Sequence, residues 1–301
     1  MNLIIHADDF GLTIDQSQQI LACSSACGGL GALNSTSALV NSPHFPACAD
    51  MIRPFVDAGS LRIGLHLNVV EGPSCAPAAM VPTLTGAGGM FCLSFARLLS
   101  LSEGRDRVSL FQELACEIGA QIDTFLTAFP DQRDHLRIDS HQHFHLIPVV
   151  FDALQEALQR RRCKVEYLRI PAEPMKPYTT TSSLYSVMPP INAAKNVLLN
   201  SLWKKNRDKL PEYHTVSAVF FGLMLSGRME YAVNPELLHK FFEEGRRRAM
   251  DVEILFHPSG VSSIGECLDP SLQGFVDFYR SPHRQREAQA LARLEKLLPA
   301  L

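Results

Sequence analysis

The 301-residue chain is 46% hydrophobic and carries a formal net charge of −3. That composition suits one α/β domain over residues 1–301 with a sizeable core, and it offers no basic surface to nucleic acid or an anionic membrane. No run approaches the ~18 apolar residues of a membrane span, and residues 1–6 lack the basic start and long apolar core of an export signal, so a cytoplasmic protein is expected. The eight cysteines, at 23, 27, 48, 75, 92, 116, 163 and 267, form no C-x-x-C pair and are expected to be reduced. Cys23 and Cys27 read as small hydrophobes one turn apart on a helix, and no cysteine is given a catalytic role.

Leu3-Ile4-Ile5-His6 reads as a first strand running into Ala7-Asp8-Asp9-Phe10-Gly11. Adjacent carboxylates resist joint ionisation unless a cation or different surroundings separate them. A simple Asp-Gly turn accounts for the glycine but not for two acids after an apolar strand. Asp15 is the expected cap of a helix running to about Gly28. Residues 32–40 read as a hydroxyl-rich second strand, and Ser42-Pro43 as the start of a helix to about Asp57. In the third strand, 60–68, Ile63, Leu65 and Leu67 share one face, and Gly64, His66 and Asn68 the other. A histidine on an apolar strand is ordinarily a satisfied core group. His66 sits in the polar phase beside a glycine, which supports a ligand role at least as well.

Residues 71–104 are irregular and Pro/Gly-rich, the mark of a binding excursion more than of filler. An amphipathic helix over 108–129 follows. Leu136-Arg137-Ile138 is a short strand leading into Asp139-Ser140-His141-Gln142-His143-Phe144-His145. Imidazoles and carboxylates so close together suit a divalent metal. His143 and His145 share the alternation of His141, so either would replace it if the strand ended early. Pro148 opens a helix to about Arg162, and 165–170 is another strand. A second long loop, 172–189, precedes a helix at 191–209, a strand at 215–221, a helix at 235–250 and a strand at 251–256 that ends in His257-Pro258. The tail from Ser281 is a charged amphipathic helix.

About seven β–α units in alternation predict a parallel sheet closed as a TIM-like (β/α) barrel, with the long loops at its C-terminal mouth. Asp8, His66, Asp139, His141, Arg169 and His257 each fall at or just past a strand end, and in a parallel barrel those ends meet at one mouth. Such a set fits a hydrolytic metal centre in which one acid binds the metal, the other acts as base and a distant histidine protonates the leaving group. Arg169 would hold the base ionised through a charge-assisted pair. An Asp-His-His ligand set would also accept zinc.

The blocks Ala7-Asp8-Asp9-Phe10-Gly11-Leu12, Ser35-Thr36-Ser37-Ala38-Leu39-Val40-Asn41, Ile63-Gly64-Leu65-His66-Leu67, residues 139–145 and Phe256-His257-Pro258 resemble, in order and across nearly the whole chain, the YdjC-type carbohydrate deacetylases, which include chitooligosaccharide deacetylase. That resemblance implies a (β/α) barrel, a metal usually assigned as magnesium, and removal of N-acetyl groups from an acetylated sugar or oligosaccharide. Carried over, it makes Asp9, His66 and His141 the metal ligands, Asp8 the base and His257 the acid. The family is distantly similar to the NodB-type polysaccharide deacetylases. Two other readings compete: an amidohydrolase acting on another C–N bond, whose His-x-His pair normally follows the first strand, and a carbohydrate- or metal-binding protein without turnover. A homodimer is left as an open expectation.

Overall fold

The computed structural model describes residues 1–209 and 218–300. Strands β1 (Leu3–Phe10), β2 (Ser35–Ala38), β3 (Arg62–Leu67), β4 (Leu136–Ser140), β5 (Val165–Leu168), β6 (Ala218–Phe221) and β7 (Asp251–Phe256) form one sheet in the order β5-β4-β3-β2-β1-β7-β6. Every pairing is parallel. The strands are buried on both faces, as a parallel sheet flanked by helices requires, which is why β1 and β7 carry nearly unbroken apolar runs such as Leu3-Ile4-Ile5 and Ile254-Leu255-Phe256.

The sheet curls. The Tyr167 hydroxyl of β5 donates to Glu253 of β7, although four strands separate those two in the sheet order. It does not close: β5 and β6 are its edges, and no described strand pairs joins them. The predicted parallel barrel is therefore observed in an open form. The predicted strand start at 215–217 lies outside the described residues.

The helices are α1 (Ile14–Leu21), α2 (Phe45–Asp57), α3 (Phe95–Ser102), α4 (Arg107–Ala128), α5 (Pro148–Arg161), α6 (Lys176–Thr179), α7 (Pro190–Asn206), α8 (Pro235–Arg248), α9 (Gln273–Tyr279) and α10 (Pro282–Leu297). No described helix is long and apolar enough to cross a membrane. Helix α7 straps the open side of the barrel. Its Asn206 side chain donates to the Leu146 carbonyl at 2.8 Å, and its Asn192 to the Met224 carbonyl at 3.3 Å.

Three local expectations are corrected. The cap of α1 is Thr13, whose Oγ1 accepts the Gln16 N–H at 3.0 Å, so Asp15 is a first-turn acid favoured by the helix dipole. That helix stops at Leu21 because the chain folds back on itself: a Cβ at Gly29 would lie 2.1 Å from the Ala22 carbonyl oxygen. Cys27 thus lies in a 3-10 turn, Ser25–Cys27, rather than on the helix with Cys23. The long loops are also less irregular than their prolines suggest, since 71–104 contains α3 and 172–189 contains α6.

The cap assignment has a direct test. Thr13→Ala removes an acceptor for an otherwise unpaired N–H and should cost about 1 kcal/mol in denaturant unfolding. Asp15→Ala should cost no more than a few tenths, as expected for a dipole contact at an exposed site; equal losses would restore Asp15 as the cap.

Candidate metal centre and active site

Asp8 and Asp9 are sequence neighbours in different surroundings. Within β1, Asp8 points to the same side as His6. Asp9 adopts a left-handed backbone with φ of 66°, and the pairing of β1 with β2 shifts register between Ala7 and Phe10. This bulge turns the Asp9 carboxylate toward His66 and His141. Asp9 Oδ1 lies 3.6 Å from His66 Nε2 and 3.3 Å from His141 Nδ1, and the two ring nitrogens are 3.2 Å apart.

His141 reaches this cluster because β4 ends at Ser140, and the predicted alternation ends with it. His141–Leu146 is a 3-10 turn in which Gln142 and His143 have φ of 50° and 61°. His143 consequently faces the edge of the Phe220 ring, 5.6 Å between centroids. His145 turns back to Ser140 Oγ at 2.6 Å and the Arg169 carbonyl at 2.8 Å. Of the three histidines, only His141 joins Asp9 and His66.

Each of these donors is oriented by a partner behind it. His66 Nδ1 lies 2.6 Å from Asp139 Oδ1; with its proton there, Nε2 presents a lone pair to the cluster, the carboxylate–histidine arrangement of metal sites. His141 Nε2 lies 3.4 Å from Glu71 Oε1, and Glu71 in turn accepts the Tyr279 hydroxyl. Arg284 of α10 donates to Asp9 Oδ2 at 2.6 Å and to the Ser259 carbonyl at 2.9 Å.

Asp8 has a different partner. Arg169 grips its carboxylate with two hydrogen bonds of 2.9 Å, and also reaches Asp139 at 3.0 Å and Glu253 at 2.7 Å. His257 Nε2 faces Asp8 Oδ2 at 3.8 Å, while its backbone N–H is held by Glu287 Oε2 at 2.6 Å.

The electrostatics follow from this packing. Burial opposes ionisation of Asp8, but Arg169 and His66 outweigh it and hold the carboxyl well below its ordinary range. Asp9 is likewise held low against burial by Arg284 and His141. Burial pushes His257 down to about 4. His66 is raised despite its burial because Asp8 and Asp139 attract positive charge to it.

The residues fit a divalent cation. Asp9 Oδ1 is buried and has no hydrogen-bond partner, although buried acceptors are nearly always paired; it faces two imidazole nitrogens at spacings expected of donors about 2.0–2.2 Å from one ion. Charge is compatible: the carboxylates of Asp8, Asp9, Asp139 and Glu253 outnumber the guanidiniums of Arg169 and Arg284 that pair with them. A second three-residue group, His6, Asp8 and Asp139, already shares the Arg169 guanidinium and does not need another cation.

The centre opens into a cavity of about 510 Å³ lined by Asp8, His141 and His257 at one end, with Phe275 and Phe278 of α9 packed on the two imidazoles. Asp8, Asp9, His66, Asp139, His141, Arg169 and His257, all singled out from the sequence, thus come together.

A model of the YdjC-like protein family matches residues 2–295. The chain belongs to the YdjC-like family. It is 29% identical over 171 residues to a chitooligosaccharide deacetylase of Proteus mirabilis, covering 57% of this chain and 60% of that protein. It is 30% identical over 174 residues to a carbohydrate deacetylase of Homo sapiens, covering 58% and 49% respectively. The chain therefore spans about half the length of the curated relatives it matches. A crystal structure from Enterococcus faecalis V583, named as a candidate cellobiose-phosphate cleavage protein, superposes with a TM-score of 0.62 at 21% identity. That superposition covers 99% of this chain and 94% of that one, and it supports the barrel fold of the family.

Sequence reasoning missed Glu71, Glu253, Arg284 and Glu287. Glu253 had a signal, since it shares the alternation of Leu255 and His257 along β7. Glu71 and Arg284 had none, because one opens an irregular loop and the other lies on a helix face remote from every strand end.

If this is the metal centre, calorimetric titration of chelated protein with a divalent cation should show one site. His66→Ala and His141→Ala should each weaken it by at least an order of magnitude, as loss of a direct ligand should cost no less than loss of a supporting partner, while His143→Ala leaves it intact. Undiminished binding in His141→Ala would remove that residue from the ligand set.

Proposed function

We propose that this protein is a divalent-metal-dependent hydrolase that removes the N-acetyl group of an acetylated sugar or oligosaccharide, with Asp9, His66 and His141 holding the metal. The observation that carries the reading is the division of labour between the two adjacent acids: Asp9 Oδ1 is an orphaned acceptor between two imidazoles, whereas Asp8 is clamped by Arg169 and lines the cavity. The names of the family's relatives support the substrate class. The resemblance in sequence favours magnesium, and the mixed oxygen and nitrogen donors also suit zinc.

A metal bound there would polarise the amide carbonyl and make a water molecule more acidic. Asp8, kept ionised by Arg169, accepts the proton that this water loses as its oxygen bonds to the carbonyl carbon. Breakage of the C–N bond then requires a proton on the departing nitrogen. His257, pushed down to about 4 by burial, is neutral near pH 7 and does not begin as an acid. Its Nε2 lies 3.8 Å from Asp8 Oδ2, too far for a direct hydrogen bond but within reach through one water, and by that route the proton taken by Asp8 passes to His257 and from it to the amine. Acetate and a free amino sugar leave. Phe275 and Phe278 exclude water from the two imidazoles and offer ring faces to the sugar.

The reading is tested by acetate release from a panel of N-acetylated sugars, using chelated protein with single metals restored. Asp8→Asn should keep the metal and lose about 10²–10⁴-fold in kcat, the usual cost of removing a general base. Asp9→Asn should bind metal weakly and recover part of its activity when metal is in excess. Loss of metal from Asp8→Asn with retention in Asp9→Asn would reverse the two roles.

A further inference from the structure

The cavity beside the proposed metal centre is more apolar than an acetyl group on a free sugar requires. Apart from Asp8, His141 and His257, its polar side chains are Gln142, His143, Lys195 and Ser226. That is a small set for the many hydroxyls of an oligosaccharide, each of which needs a partner if buried. The aromatic rings best placed to stack on sugar, Phe275 and Phe278, lie against His141 and His257 at the reacting end.

Another wall is aliphatic, formed by Leu198 and Leu199 of α7, Leu223 after β6 and Leu255 of β7. Leu199, Leu223 and Leu255 belong to one buried cluster with Leu146 and Phe220, so this wall is the open face of a packed core and keeps its shape. It lies on the side of the barrel that α7 straps, and Leu198, 37% exposed, carries it toward solvent.

Resting on the deacetylase reading above, we propose that the substrate is an amino sugar bearing an apolar chain, which lies along Leu198, Leu199, Leu223 and Leu255 while its amide meets Asp8 and His257. The chain has two chemical sources, an acyl group longer than acetyl or an alkyl aglycone on the sugar, and both present the same methylenes to the wall.

Two substrate series separate these sources: N-acylglucosamines from acetyl to octanoyl, and alkyl glycosides of N-acetylglucosamine from methyl to octyl, each assayed by amine release with the metal-loaded protein. In one series kcat/KM should rise about three- to four-fold per methylene until the wall is covered, the factor given by burial of a methylene. Flat or falling values in both series overturn the proposal. The single Trp, Trp203, packs against the leucine cluster, so its fluorescence gives a binding readout independent of turnover. It should respond to the octyl glycoside at concentrations where the methyl glycoside gives no change, and equal responses overturn the proposal.

Leu198→Gln alters an exposed position and should erase most of the gain with chain length; Leu223→Ser should do the same from the β6 part of the same wall. A full gain retained in correctly folded Leu198→Gln and Leu223→Ser proteins also overturns it. Turnover of acetyl substrates without any chain-length dependence would sink this inference and leave the deacetylase reading standing. Octyl binding at Trp203 without hydrolysis of any member would do the reverse.

Discussion

A fully buried guanidinium must be neutralised where it stands, and Arg169 is such a group. It follows β5, at one edge of the sheet, yet its partners come from β1, β4 and β7: Asp8, Asp139 and Glu253. The attraction of one cation for three carboxylates therefore acts across the inside of the curled sheet and joins the β4–β5 pair to the β1–β7 pair, which share no ladder with each other. Removing a single partner of a buried ion pair typically costs about 3–5 kcal/mol, because the charge left behind has no solvent. The same network fixes the chemistry. It keeps Asp8 ionised, and through Asp139 it sets the proton on His66 so that Nε2 faces Asp9. Architecture and proton placement here depend on one ion-pair cluster.

Much of this was legible in the sequence, for a physical reason. Strand ends in a parallel barrel converge, and alternation tells which side chains face inward, so Asp8, His66, Asp139, Arg169 and His257 were recognisable by phase, and His141 as one of three histidines in one phase. What alternation does not encode is where the backbone leaves the strand. His143 and His145 looked equivalent to His141 until the turn at Gln142 and His143 sent them elsewhere. The cap of α1 and its end at Leu21 were hidden similarly, since they depend on Thr13 and on a backbone approach at Gly29. Arg284 was invisible for another reason: a charged residue on an amphipathic tail helix reads as solvated, and only tertiary packing shows that it reaches Asp9.

Several residues with a left-handed backbone lie at the centre itself. Asp9, Gln142 and His143 all have positive φ, a conformation that costs a non-glycine residue of order 1 kcal/mol or more. At Asp9 this geometry separates two identical side chains. With ordinary strand geometry, Asp8 and Asp9 would face opposite sides of the sheet, and one would be lost to the site. The bulge lets both serve it while Arg169 and Arg284 keep their charges apart.

The arrangement also ties the site to the whole chain. Asp9 lies in the first strand and Arg284 in the last long helix, and their pairing spans 275 positions. Tyr279, just before that helix, anchors Glu71 behind His141, and Glu287 within it holds the backbone of His257. The C-terminal helices thus support Asp9, His141 and His257 at once. Local strand formation can align Asp8, His66 and Asp139, but the second set of supports exists only after α9 and α10 dock on the barrel. A weakened docking of these helices is therefore expected to loosen the geometry of the centre before it unravels the sheet, because β1 to β5 are held by their own ladder and by Arg169.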